Sequence, residues 1–314
     1  MRPFLNPYFL ICMVSLASSK GVALLSKKVL VTGANKGIGK AICKKILETQ
    51  PDVHVLLGSR DLQRGTVALE NLKRELKSTD ASAGDRISCI HLDVTSDESV
   101  SAAVLQVKEA VAADLPLYGI VNNAGVGFGL SVTDTLAVNL YGTRRVSEAF
   151  IPLLDSVEGR VVNIGSASGP MFVSGSPNRD LATSLSDPTI MPTTFEALET
   201  IIADAFPARD GPDYDGSAYG LSKACLMAYT TQLAKRFPNL RINACTPGYI
   251  NTDLTAGMGA TNPPEKGTKA PLYCLFGDVP FQAEGGINGR YYGSDGVRSP
   301  LDCYRGPGDP AYDP

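Results

Sequence analysis

Tyr219 and Lys223 lie four residues apart in a segment with helical patterning, so their side chains share one face. A free phenol has a pKa of about 10, too high for efficient proton exchange near neutrality, but a neighbouring ammonium stabilises the phenolate and lowers it. The pair therefore suits one task, handing a proton to an oxygen on which charge develops as a carbonyl receives a hydride. Taken alone, it would be unremarkable on any helix. A second chemical feature lies far upstream, in Lys28-Val-Leu-Val-Thr-Gly-Ala-Asn-Lys-Gly-Ile-Gly39. There an apolar run enters a turn in which Gly33, Gly37 and Gly39 permit close backbone approach, with Asn35, Lys36 and Ile38 between them. The helix that follows would aim unpaired N–H groups and its positive dipole end at a phosphate. Because the spacing is G-x-x-x-G-x-G rather than G-x-G-x-x-G, the loop alone reads equally well as plain turn chemistry.

Strand and helix patterns alternate through the body of the chain, which predicts an α/β doubly wound parallel sheet with helices on both faces. Strands are expected at residues 29–31, 53–57, 87–92, 119–122, 160–164, 241–245 and 289–292. Between them come helices over about 37–49 (Ile38, Ile42 and Ile46 on one face), after the cap Asp61, and from the cap Ser96 to about 112. Further helices are expected over about 132–154, carrying Asn139, and over 219–236. Two segments break the rhythm. Residues 167–192 are rich in Ser, Pro and Gly, and 194–206 read as one added helix whose Phe195, Leu198, Ile201, Ile202 and Phe206 form an apolar stripe. The tail 294–314 has little apolar content, so irregular or loose structure is expected there.

The chain has 314 residues, 44% hydrophobic and 19% charged, the composition of an ordinary globular core. A net charge of −3 gives no general attraction to nucleic acid or an anionic membrane, so local cations must carry any phosphate binding. Seven cysteines show neither a C-x-x-C pair nor a short-spaced His, so no metal site is expected. At the N-terminus, Arg2 precedes an apolar stretch from Tyr8 to Leu16, with Ser15 and Ala17 at the small-residue positions of a cleavage site. The stretch is too short to span a bilayer and shows no clear amphipathic face. Residues 1–26 are expected to be a cleaved secretory or organelle-import leader, with a surface extension on a cytoplasmic protein as the alternative.

Further motifs follow the glycine loop in order: Asp93-Val94, Asn122-Asn-Ala-Gly125, Asn139, Ser166 after a strand, Tyr219-Gly-Leu-Ser-Lys223, and Pro247-Gly248 followed by Thr252. Jointly these resemble the short-chain dehydrogenase/reductase family, and within it the carbonyl reductase branch, over roughly residues 27–255. The resemblance implies a single Rossmann domain over 27–293, with 167–218 as an insertion containing the added helix between Ser166 and Tyr219. It implies a catalytic tetrad in which Tyr219 donates the proton, Lys223 also bonds the nicotinamide ribose, Ser166 donates to the substrate oxygen, and Asn139 holds a water linking Lys223 to solvent. By the same resemblance Asp93 and Val94 contact adenine, the Asn122 segment steadies the sheet and passes close to the ribose, and Pro247, Gly248 and Thr252 meet the nicotinamide carboxamide.

At the end of the second strand an acid would favour NAD and a base NADP. Here Ser59 stands at the acid's place and Arg60 follows, with Lys36 and Arg64 nearby, so NADP(H) is the expected cofactor. The expected activity is NADPH-dependent reduction of a ketone, aldehyde or quinone, a small-molecule substrate. A same-fold alcohol dehydrogenase, a dedicated biosynthetic ketoreductase and a non-enzymatic nucleotide-sensing module are the alternatives. Gly165 and Tyr249 stand where carbonyl reductases commonly carry Ser and Trp, while Met171 and Phe172 either line an apolar mouth or pack locally. Monomeric carbonyl reductases carry an insertion of similar length, which implies that the stripe covers the usual dimer face and the protein is a monomer. A lid over the substrate cleft or a different dimer is the other use of such a helix.

Overall fold

The structure, a computed structural model, describes residues 27–77, 80, 82–110, 116–206, 211, 216–279 and 288–313. The expected leader therefore lies outside the described residues. β1 (Lys27–Val31) runs parallel to β2 (Val53–Ser59) on one side and to β4 (Leu117–Asn122) on the other. β3 (Ile87–His91) flanks β2, while β5 (Arg160–Ile164), β6 (Arg241–Cys245) and β7 (Tyr291–Tyr292) continue beyond β4. With β8 (Arg298–Ser299) the order is β3-β2-β1-β4-β5-β6-β7-β8, parallel throughout except for β8. The order reverses between β1 and β4. A doubly wound sheet binds ligands at such a switch point, outside the carboxyl ends of its strands.

Both sheet faces are covered, which is why the central strands read as unbroken apolar runs. Val29 and Val31 point to one core with Ile42 and Ile46 of α1 (Gly37–Thr49), Leu72 of α2 (Leu62–Leu76) and Leu275 of α10 (Lys269–Phe276). Leu30 points the other way, toward Val100 of α3 (Asp97–Ala110), Val146 of α5 (Thr143–Phe150) and Leu221 of α9 (Ser217–Arg236). Asp61 caps α2 by accepting from the Arg64 amide at 2.9 Å, and Ser96 accepts from the Ser99 amide at 3.1 Å.

Three segments differ from the sequence reading. The helix expected over 132–154 is not continuous: α4 (Val132–Leu136) passes into a π-helical turn, Ala137–Gly142, before α5. The wide turn is centred on Asn139, and 3.6-residue periodicity does not reveal it. Residues 167–192, read as a break, contain α6 (Ser168–Gly175) and α7 (Arg179–Ser186), the latter capped by Asn178. The tail expected to be loose forms β8 and a side-chain network around Asp295 and Arg305.

The added helix forms as α8 (Phe195–Ala205), capped by Thr194. Its Phe195 meets Tyr229 of α9 edge-on at 5.7 Å, and the Arg144 guanidinium lies 4.0 Å from the Phe195 ring centroid. Gln232 and Lys235 of α9 donate to the carbonyls of Pro192 and Pro188. Every residue of α9 from Ala218 to Ala234 is buried, by the sheet on one side and these helices on the others. Among the described residues no helix is long and apolar enough to cross a membrane, no cluster could hold a metal, and Cys43, Cys225, Cys245 and Cys274 are buried free thiols.

Candidate active site

The glycine loop joins β1 to α1 at the switch point. Gly33 (φ 61°) and Gly37 (φ 54°) occupy the left-handed region that favours glycine. A Cβ on Gly33 would lie 2.8 Å from the Ala124 Cα, and one on Gly39 would strike the Asn123 side-chain Nδ2 at 2.5 Å. The loop thus presses against the Asn122–Gly125 segment. The two are tied further: Thr32 Oγ1 accepts from the amides of Asn123 (3.0 Å) and Ala124 (2.9 Å), and Asn123 Nδ2 donates to the Thr32 carbonyl (2.9 Å).

A cleft of about 690 Å³ opens beside this seam. One end is lined by Gly33, Asn35, Lys36, Gly37, Ile38, Arg60, Asp93 and Val94, the other by Ser166, Tyr219, Lys223, Pro247, Gly248 and Thr252. Three residues expected in the cofactor site stand elsewhere. Asn122 is buried in the sheet, donating to Ser147 Oγ (3.0 Å) and Asn163 Oδ1 (2.8 Å), so its neighbours Asn123, Ala124 and Gly125 line the cleft instead. Gly39 serves the packing just described. Arg64 pairs with Asp61 at 3.3 Å and borders an adjoining depression with Asn35 and Lys40.

The cations differ in commitment. Lys36 spans the cleft mouth to Asp253 at 2.5 Å, an exposed pair that follows Thr252 directly in sequence and was not anticipated. Arg60 is exposed, and its charge helps hold Asp93 ionised. Burial pushes the Asp93 carboxyl up, but bonds from the Thr95 amide (2.9 Å) and hydroxyl (2.7 Å) bring it below the usual carboxylate value. Asp93 is thus both a turn residue and a cleft residue.

At the other end, Tyr219 and Lys223 are almost wholly buried in the first turns of α9. Ser166, which leaves β5, stands beside Tyr219 and donates to Ser168 Oγ (3.2 Å), and the Phe128 ring lies against Tyr219 with centroids 4.7 Å apart. Lys223 Nζ donates to the Ile164 carbonyl at 2.8 Å and sits 5.7 Å from the Tyr219 ring centroid. Burial lowers Lys223 to about 8. Burial likewise raises Tyr219 above its ordinary value, opposed by the neighbouring Ser166 side chain. The depressed phenol expected from the neighbouring ammonium is therefore not found: desolvation of the phenolate is the dominant influence on Tyr219.

Asn139, fully buried in the π turn, uses its side chain to pin the loop beneath the site. Its Oδ1 accepts from the Val126 amide (2.9 Å), and its Nδ2 donates to the Val126 carbonyl (3.1 Å) and Ser222 Oγ (2.9 Å). A Cβ on Gly125 would come within 3.2 Å of Asn139 Oδ1 and 3.7 Å of Lys223 Nζ, so the glycine lets the three meet. The substrate end is apolar, with Phe128, Tyr249, Leu254 and Met258, the Tyr249 hydroxyl donating to the Met258 carbonyl. Met171 and Phe172 do not line it. Met171 faces outward, and Phe172 packs on Phe206 at 6.3 Å. Phe128 was missed because a lone aromatic three positions after N-N-A-G carries no sequence signal of its own.

A sequence model described as short chain dehydrogenase matches residues 27–178. The (+)-neomenthol dehydrogenase of Arabidopsis thaliana is 32% identical over 277 residues, covering 77% of this chain and 89% of that protein. The chain belongs to the short-chain dehydrogenase family. It is accordingly an oxidoreductase acting on the CH–OH/C=O couple. Carbonyl reductase (NADPH) 1 of Mus musculus is 30% identical, over 86% of this chain and 95% of its own. Among solved structures, salutaridine reductase from Papaver somniferum superposes with a TM-score of 0.68 at 26% identity, covering 85% of this short-chain dehydrogenase and 99% of that chain.

Proposed function

We propose that this short-chain dehydrogenase reduces a ketone, aldehyde or quinone carbonyl with NADPH, Tyr219 supplying the proton. The observation that carries the reading is the meeting of Tyr219 and Ser166 in the cleft beside the buried Lys223. The cleft suits a dinucleotide: the glycine turn offers bare backbone at a helix N-terminus, and cations gather where a 2′-phosphate would sit. The Gly33–Gly39 loop would hold the pyrophosphate, Arg60 and Lys36 the 2′-phosphate, Asp93 and Val94 the adenine, and Pro247, Gly248 and Thr252 the carboxamide. Bound there, NADPH supplies the hydride. The related mouse reductase carries NADPH in its name, which supports the same cofactor here.

The chain's own groups handle the proton. Ser166 and Tyr219 both present hydroxyls to one point, where they can fix a carbonyl oxygen and donate as negative charge grows on it. Because burial raises Tyr219, the phenol stays protonated at neutral pH, as reduction requires, whereas oxidation would need it ionised. Lys223 offsets the phenolate left behind. The direct trial is purified protein with NADPH and a panel of carbonyl compounds, followed by cofactor absorbance; consumption with apolar ketones or aldehydes is expected, and none with any member rejects the reading.

Since Lys223 titrates at about 8, kcat/KM for reduction should hold steady below that pH and decline above it as the ammonium is lost. A profile flat to pH 10 would contradict this role. Stability moves oppositely. The folded chain releases this proton before the unfolded chain does, so stability rises with pH from about 8 toward the ordinary lysine value of 10.5.

We also infer a monomer, because α8 and its flanks occupy the faces of α9 and α5 through which many relatives pair. No α8 residue lines the cleft, which argues against a lid. Light scattering should report one chain of 33.2 kDa or slightly less, and a mass near twice that value contradicts the inference. The N-terminal stretch further suggests a mature chain beginning after Ala17 or within a few residues of it, which N-terminal sequencing of protein from its native source tests; Met1 or Arg2 as first residue rejects it.

A further inference from the structure

The tail from Ser294 onward forms a compact unit. Asp295 Oδ1 accepts from Arg305 Nη1 (3.1 Å) and from the Val297 amide (3.1 Å), and its Oδ2 from Arg305 Nη2 (2.8 Å) and the Gly308 amide (3.1 Å). Arg305 in turn donates through Nε to the Pro310 carbonyl (2.8 Å). The pair is half-buried, with side chains 5% and 17% exposed for Arg305 and Asp295. Burial alone would push the Asp295 carboxyl up, yet the bonds from Arg305, Gly308 and Val297 hold it at about 2, so the pair stays charged at any assay pH.

What the pair leans on is the cofactor cleft. A Cβ placed on Gly293 would meet Asp295 Oδ1 at 2.8 Å and Arg305 Nη1 at 2.9 Å, so the fork sits directly against that backbone. The next residue, Ser294, closes on Gly248, whose Cβ, if it had one, would lie 3.1 Å from the Ser294 Cβ. Gly248 has φ 91° and lines the cleft with Thr246 and Pro247. The same turn is held from β7: the Thr246 amide donates to the Tyr292 carbonyl (3.0 Å), and Thr246 Oγ1 accepts from the Gly248 amide (3.2 Å). A bidentate fork is a stiff connector, since planar guanidinium and carboxylate match in only a narrow range of orientations.

We propose that Arg305 is a positioning residue for the cofactor cleft, acting through Asp295 and the Gly293–Ser294 backbone to hold the Thr246–Gly248 turn in its binding shape. The C-terminal tail is then part of the nucleotide site although none of its described residues lines the cleft. The proposal rests on the NADPH reading above. It predicts a signature distinct from loss of a phosphate contact, because the Thr246–Gly248 turn lies at the end remote from Arg60 and serves NADPH and NADH alike.

The test is dinucleotide binding by the full chain carrying Arg305→Gln, measured by cofactor fluorescence, alongside steady-state kinetics. Dissociation constants for NADPH and NADH should rise together by about three- to tenfold, the scale for a residue that touches no ligand, with the ketone KM moving less than twofold. Arg305→Lys keeps the charge but not the fork and should fall between. Wild-type affinity in a folded Arg305→Gln protein overturns the proposal, as does a lowered melting temperature with unchanged affinity. Should Arg305→Gln not fold, Ser294→Gly, which removes only the side chain facing Gly248, must still weaken both dinucleotides; unchanged affinity there overturns the proposal too. Failure of the wild-type protein to bind NADPH at all would instead fault the cofactor reading.

Discussion

Tyr219→Phe should lower turnover by about 10²–10⁴, the usual scale for losing a general acid, while NADPH affinity stays near that of the wild type. Tyr219 is nearly buried beside Ser166, so removal of its hydroxyl leaves a ring of the same shape against Phe128 and little change in packing. Rapid quenched turnover with any good carbonyl substrate measures the effect. Wild-type turnover in the variant would mean that the proton comes from elsewhere. Ser166→Ala is a weaker trial of the same site, since the phenol can still donate once its neighbour is gone.

Arg60→Ala should raise the NADPH KM by roughly ten- to a hundredfold, corresponding to about 1.5–3 kcal/mol of charge-assisted hydrogen bonding, and leave NADH little affected. Arg60 is exposed, so salt will draw the effect toward the lower figure. Lys36 cannot substitute fully, because Asp253 already engages it across the cleft mouth. Ser59 is a poorer place to intervene: it is buried, its hydroxyl donates to the Asp61 carbonyl at 2.7 Å, and an acid there would have to be accommodated against Gly65. Equal losses for both cofactors would contradict the assignment of Arg60 to a 2′-phosphate.

Much of the scaffold was legible because its signals are local. The Ile38, Ile42 and Ile46 spacing, the Asp61 cap and the apolar strand cores each follow from residues within one or two turns, and the elements stand within a few residues of their expected limits. What escaped depends on contacts between distant segments. The π turn at Asn139 exists to bring that side chain to Val126 and Ser222, and nothing in the periodicity of 132–154 records those partners. The Ser-, Pro- and Gly-rich run hides α6 and α7, which are too short for a periodic signal and are held by packing on α9. The tail looked loose for want of apolar residues, whereas it is ordered by the pairing of β8 with β7 and by an ion pair ten residues apart.

The site was legible by residue type and less so by environment. Sequence brought Ser166, Tyr219 and Lys223 to one end of the cleft and the glycine loop with Arg60 to the other. It could not separate Asn122, the last residue of β4 and turned toward Asn163, from Asn123 just beyond the strand, whose side chain reaches the Thr32 carbonyl. Nor could it foresee that burial would raise Tyr219 and draw Lys223 down to about 8. Spacing places charges near one another, and only the fold sets how much water is left around them.

Transfer of deuterium from labelled cofactor tests the central claim most directly. NADPH carrying deuterium at nicotinamide C4, prepared with the label on each face in separate samples, should deliver it to the carbinol carbon of the alcohol product from one of the two, while the hydroxyl hydrogen exchanges with solvent. Mass spectrometry of the product reads this as a gain of one mass unit at that carbon. An alcohol that forms without label from both samples would contradict hydride transfer from NADPH and with it the function proposed for this cleft.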